Sequence, residues 1–186
     1  MSLASIVTAK HEVVGWPYHR DLDLTGFIDG TENPTLVEAV SVVLIPPGGP
    51  CEGGSILLLQ QWLHDAAAWE SLPVERQEQI IGRRKSDSAE LDPKPVGSHV
   101  ARTDQDAFGK IFRRNIAYGD VSEHGTIFVG FCANQRPLQQ MLESMIGMHD
   151  GIRDDLTRFA QAQTGAYYVI PSADRLAAFG EGSRTA

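Results

Sequence analysis

A chain of 186 residues, 42% hydrophobic and 22% charged, has the size and composition of one globular domain with its own core. Its formal net charge of -8, with Arg83-Arg84-Lys85 the longest basic run, disfavours nonspecific binding to nucleic acid or to an anionic membrane. Cys51 and Cys132 stand alone, which fits a reduced, cytoplasmic chain better than a disulfide scaffold.

Ser2 to Ala9 is mildly apolar but too short to span a membrane. No basic stretch precedes it, so neither a spanning helix nor a signal peptide is expected. Residues 10–34 are polar and rich in turn formers, and read as an extended lead-in. Ser41 to Ile45 is β-branched and apolar, and Pro46-Pro47-Gly48-Gly49-Pro50 stops it. That loop lacks a Gly-Lys-Ser/Thr ending and a following helix, so it is not a phosphate loop. Ser55 to Trp62 reads as a buried strand. His64 to Leu72 and Pro73 to Ile81 read as helices, with Pro73 at the first helical position of the second. Ser86 to Ser98 is a polar, proline-containing loop. Lys110 to Asn115 and Gly125 to Ala133 read as strands around a turn at Gly119 to His124. Pro137 to Met148 is amphipathic, with Leu138, Met141, Leu142, Met145 and Ile146 on one helical face. Asp150 to Gln161 reads as another helix, Ala166 to Ile170 as a closing strand, and Ser172 to Phe179 as a short last helix.

From Ser55 onward the order is the βαββαβ pattern of a ferredoxin-like α+β domain with an antiparallel sheet. The expected organisation is a lead-in over 1–40 and the domain over 41–180. Such a fold hosts many functions and argues for none alone.

Gly26-Phe27-Ile28-Asp29-Gly30-Thr31-Glu32-Asn33-Pro34 places one carboxylate, Asp29, in a glycine-bracketed turn. Asp-Gly and Asn-Pro are frequent in ordinary turns. Downstream come His99, where a polar loop gives way to a more apolar segment, and Arg113-Arg114-Asn115. Arg113 and Asn115 alternate along one strand and share a face, with Arg114 on the other. Either residue is equally at home on a solvated sheet. His11, His19 and His64 lie in polar surroundings, and no two histidines have metal-ligand spacing.

On these segments the chain resembles the dye-decolorizing (DyP-type) haem peroxidases, which carry a GxxDG motif, a downstream proximal histidine and an R-x-N element. The likeness runs from about Val13 to Leu176 and includes Lys94 to Val100, Ile81-Gly82-Arg83, Met148-His149-Asp150-Gly151 and Gly165-Ala166-Tyr167-Tyr168. It implies a haem b cofactor with His99 as iron ligand. Asp29 is the implied distal acid/base, and Arg113 with Asn115 the distal cation and neutral donor. It puts Glu32 and Asn33 near the propionates and access channel, with Arg83 as a possible propionate partner or a solvated charge. Phe128 belongs to the core or walls the distal pocket. Asp154 is nominated to support His99, with Asp150 and Asp155 as competitors. Hydrogen peroxide and a bulky organic electron donor, a dye or phenolic, are the implied substrates. Trp16, Trp62, Trp69, Tyr18, Tyr118, Tyr167 and Tyr168 are core residues or electron relays. DyP-type enzymes have two ferredoxin-like halves, and this chain resembles the C-terminal one. That implies a companion N-terminal half or a homo-oligomer. The alternative is a half-domain that binds haem without peroxidase activity.

Overall fold

A computed structural model of the chain describes residues 7–181, so the first six residues of the expected lead-in lie outside it. Strands β1 (Gly15–Trp16), β2 (Ser55–His64), β3 (Phe112–Gly119), β4 (His124–Cys132) and β5 (Ala160–Ile170) form one antiparallel sheet in the order β1-β3-β4-β2-β5. The four long strands have the ferredoxin-like order, and β1 extends the edge beside β3. The apolar run of β2 is central because it pairs on both sides, with β4 and β5.

Seven α-helices accompany the sheet among the described residues. Helix α1 (Leu36–Val43) absorbs most of the β-branched run. Thr35 and Glu38 cap each other's backbone there, and this capping box sets the helix start. Helix α2 (Ala66–Glu70) is capped by the Asp65 side chain, and His64 belongs to β2. Helix α3 (Val74–Ile81) has Pro73 as its cap, one position earlier than expected. Short helices α4 (His99–Arg102) and α5 (Gln105–Phe108) lead into β3. Helix α6 (Arg136–Met145) buries Leu138 and Met141, as its apolar face requires, and stops before Gly147 rather than at Met148. Helix α7 (Ala173–Glu181) closes the described chain.

The helix expected over Asp150 to Gln161 does not form. Asp150 accepts from the Ile152 N–H and Asp154 from the Leu156 N–H, so aspartate-capped turns replace helical bonds. A 3-10 turn covers Asp155–Arg158, and residues 160–164 pair with the second half of β2. Tertiary pairing overrides local propensity in that segment.

The core is split in two. Phe27, Trp69, Ile80, Ile81 and Val100 form one cluster, and Leu58, Ile111, Cys132, Leu138 and Met141 the other. On the opposite sheet face, Leu57, Leu59, Ile127, Val129 and Phe131 stay partly buried, and Tyr168 is exposed.

Candidate functional site

A cavity lies between the two apolar clusters, bounded by the inner sheet face and the helices. It opens to solvent at its mouth. Phe27, Ile81 and Val100 line it from one cluster, and Leu58, Ile111 and Leu138 from the other. Protein interiors otherwise pack closely, so a gap of this kind is the default place for a ligand.

His99 opens α4 and lines the cavity from the helical layer. Its Nδ1 lies 2.7 Å from Oδ2 of Asp154, which is wholly buried. The other Asp154 oxygen accepts from the Leu156 N–H at 2.9 Å, and Asp154 N–H donates to Met145 O. Asp154 is therefore held by the 3-10 turn and by α6, not by a helix of its own. Asp150 pairs with Arg102 and Asp155 with Arg158, so neither competitor reaches the imidazole. A carboxylate on Nδ1 keeps the proton there and leaves Nε2 as the free lone pair. Nε2 has no hydrogen-bond partner among the described residues. Gly82 makes this placement possible. It ends α3 at φ +92°, and a Cβ there would meet Ser98 Oγ at 2.7 Å. Ser98 is wholly buried and caps α4 immediately before His99.

The sheet-side wall carries Asp29, Arg113 and Asn115. Asp29 is buried, and both its oxygens accept bonds from Asn115: the backbone N–H at 2.7 Å and the side-chain amide at 3.1 Å. Arg113 Nη1 stands 3.8 Å from Asp29 Oδ1, an ion pair without a direct hydrogen bond. Period-2 alternation on β3 puts Arg113 and Asn115 on the cavity face, and Arg114 is exposed on the other. Gly30 sits at φ +71°, and Asn33 bonds the Arg113 backbone through both ends of its amide, at 2.9 and 2.8 Å. Asn33 thus fastens the turn to β3 rather than facing the cavity.

At the rim, Arg83 Nη2 binds Glu32 and Glu90, each at 2.7 Å, and Nη1 donates to Ser88 O. Its Nε is buried and has no hydrogen-bond partner among the described residues. Phe128 lines the cavity from β4. Among the aromatic residues, Trp69 and Tyr118 are core, while Trp16, Tyr18 and Tyr168 are exposed.

Two cavity groups went unsingled by the sequence reading. His64 continues the alternation Leu58, Gln60, Trp62 along β2, and its Nε2 lies 3.1 Å from Thr126 Oγ1. Burial, and to a lesser extent the charge of His124, push its pKa down to about 4. Its surroundings are a cavity wall, not the polar context its neighbours suggested; the period-2 pattern was the available signal. Asp23 also lines the cavity. Burial raises its pKa, against the opposing bonds from Thr25.

The family model described as Dyp-type peroxidase, C-terminal, matches residues 20–175. The chain is 41% identical over 185 residues to a dye-decolorizing peroxidase of Mycolicibacterium paratuberculosis, covering 94% of this chain and 52% of that protein. It is 41% identical over 184 residues to one from Brevibacterium linens, covering 94% and 50%. Among solved structures, the dye-decolorizing protein from V. cholerae superposes with a TM-score of 0.86 at 41% identity, over 94% of this chain and 61% of that one. A variant of DypB from Rhodococcus jostii RHA1 in complex with heme gives 0.85 at 38% identity, over 94% and 59%. The chain spans about half the length of the curated relatives it matches.

Proposed function

Because this chain belongs to the DyP-type peroxidase family and matches its C-terminal domain, we propose that it is the haem-bearing half of an enzyme that oxidises bulky organic donors, dyes or phenolics, with hydrogen peroxide. The observation that carries this reading is the His99–Asp154 pair at 2.7 Å, set beside a cavity that divides the core.

The residues present fit haem b. Apolar side chains from both core clusters suit the macrocycle, His99 Nε2 suits its iron, and the unpartnered Arg83 Nε suits a propionate. Glu32 holds Arg83 in place, and Phe128 packs the sheet side. When bound, haem supplies the redox iron at which peroxide is reduced.

Asp154 keeps the proton on His99 Nδ1 and raises the basicity of Nε2. The Arg113 guanidinium stabilises negative charge as the O–O bond breaks. Asp29 moves a proton from one peroxide oxygen to the other, so that water departs. Asn115 orients the Asp29 carboxylate through two donated bonds. A companion N-terminal half or a second copy covers the partly buried sheet face around Leu57, Val129 and Tyr168. Two free thiols favour the cytoplasm. Among the described residues, no helix is long and apolar enough to cross a membrane.

The test is an absorption spectrum with and without hemin, followed by stopped-flow mixing with peroxide. A Soret band is expected from the parent and is lost in His99→Ala. Arg113→Leu and Asp29→Asn keep the band and slow the peroxide reaction by about 10²–10⁴-fold. A chain that stays colourless defeats the haem reading. Parent-like rates in both variants remove Arg113 and Asp29 from the peroxide chemistry, and a loaded parent that does not react with peroxide is a noncatalytic haem-binding domain.

A further inference from the structure

Asp23 and Asp29 sit on the paired arms of one loop. Leu22 bridges Ile28, the Asp23 N–H donates to Phe27 O, and the Asp29 N–H to Asp21 O. Both acids line the cavity, yet they are held differently. Asp29 accepts at both oxygens and has Arg113 beside it. Asp23 accepts only at Oδ1, from the Thr25 N–H at 2.8 Å and from the Thr25 hydroxyl. Its Oδ2 has no hydrogen-bond partner among the described residues. Thr25 is itself locked, because its carbonyl accepts from Trp69 Nε1 at 3.0 Å. Asp29 and Arg113 already balance one another, so a proton on Asp23 Oδ2 leaves the group of three neutral.

We propose that Asp23 is a second acid of this cavity, a positioning residue that carries a proton beside Asp29 and Arg113 and passes it to Asp29 during peroxide turnover. The inference rests on the peroxidase reading. Reduction of one hydrogen peroxide to two waters takes up two electrons and two protons. The organic donor supplies the electrons. The Asp23 carboxyl supplies one proton, becomes a carboxylate, and is reprotonated from solvent; the second proton comes from solvent.

The electrostatics agree with the geometry. Burial pushes the Asp23 carboxyl up and the Asp29 charge adds to this, against the Thr25 bonds and Arg113. The other ionisable groups around it are Asp21 on its own loop, His64 on β2, Lys85 over the Phe27 ring, and Arg83 and His99 across the cavity. With a raised folded-state pKa, Asp23 costs the fold stability as pH rises above the ordinary value of 3.8.

The test starts with the hemin-free chain. Infrared pH titration of the parent should show a protonated carboxyl band that persists above the ordinary carboxyl value of 3.8 and that Asp23→Asn removes. A parent without the band, or a variant that keeps it, overturns the proposal. In urea, Asp23→Asn should gain stability over the parent as pH rises above 3.8; a gap that ignores pH counts against it. With hemin bound, Asp23→Asn should keep hemin affinity and lose about tenfold or more in steady-state turnover, with an altered pH profile. Parent-like turnover overturns proton delivery even if the band is present. A loaded parent without turnover removes the peroxidase reading and the delivery step together, while the infrared result still decides where the proton sits.

Discussion

Replacing Asp154 by Asn changes one atom in a buried site and should weaken hemin binding about 10–100-fold. Asp154 now accepts twice, from His99 at Oδ2 and from the Leu156 N–H at Oδ1. An amide has one oxygen. If that oxygen stays on Leu156, the NH2 faces His99 Nδ1. Nδ1 must then accept, and the proton moves to Nε2, the nitrogen the iron needs. If the oxygen turns to His99, the NH2 meets the Leu156 N–H donor to donor. A buried donor left unpaired costs about 1–3 kcal/mol. Ligation by Nε2 requires the second arrangement, so this cost falls on hemin binding, at about 1.4 kcal/mol per tenfold. The hemin-free variant is free to adopt the first arrangement and should lose little stability in urea. Titrating parent and Asp154→Asn with hemin, read at the Soret band, measures the difference. Parent-like affinity and spectrum in the variant would refute the argument that Asp154 sets the His99 tautomer.

Gly82→Ala should destabilise the fold by about 2–4 kcal/mol, from the left-handed backbone and the clash with Ser98. Urea unfolding measures it, and hemin affinity should fall with it because Ser98 precedes His99. His64, with a pKa lowered from 6.5 to about 4, binds its proton in the unfolded chain first. Stability present above pH 6.5 is therefore lost as pH falls towards 4, by up to about 3 kcal/mol. His64→Gln should flatten that acid limb in urea titrations at several pH values. Light scattering should show the isolated chain self-associating at micromolar concentration, through the sheet face bearing Leu57, Val129 and Phe131; a clean monomer contradicts this.

Much of the architecture followed from local pattern. The strand–helix order from Ser55 to Phe131, the apolar face of α6, and the shared face of Arg113 and Asn115 all come from periods of 2 and 3.6 residues, which neighbours in the chain enforce. The capping box at Thr35 and Glu38, which starts α1, went unread beside the β-branched run. What local pattern does not contain is the identity of distant partners. Asp29 meets Asn115 across 86 positions, and His99 meets Asp154 across 55. Asp154 was nominated for that histidine with Asp150 and Asp155 as competitors, and packing of the 3-10 turn against α6 is what holds Asp154 there. Pairing with β2 turned residues 160–164 into strand, and the seating of the 21–29 loop brought Asp23 into the cavity wall. Periodicity tells a side chain which face it occupies; only the register of the sheet and the seating of the helices decide what stands opposite.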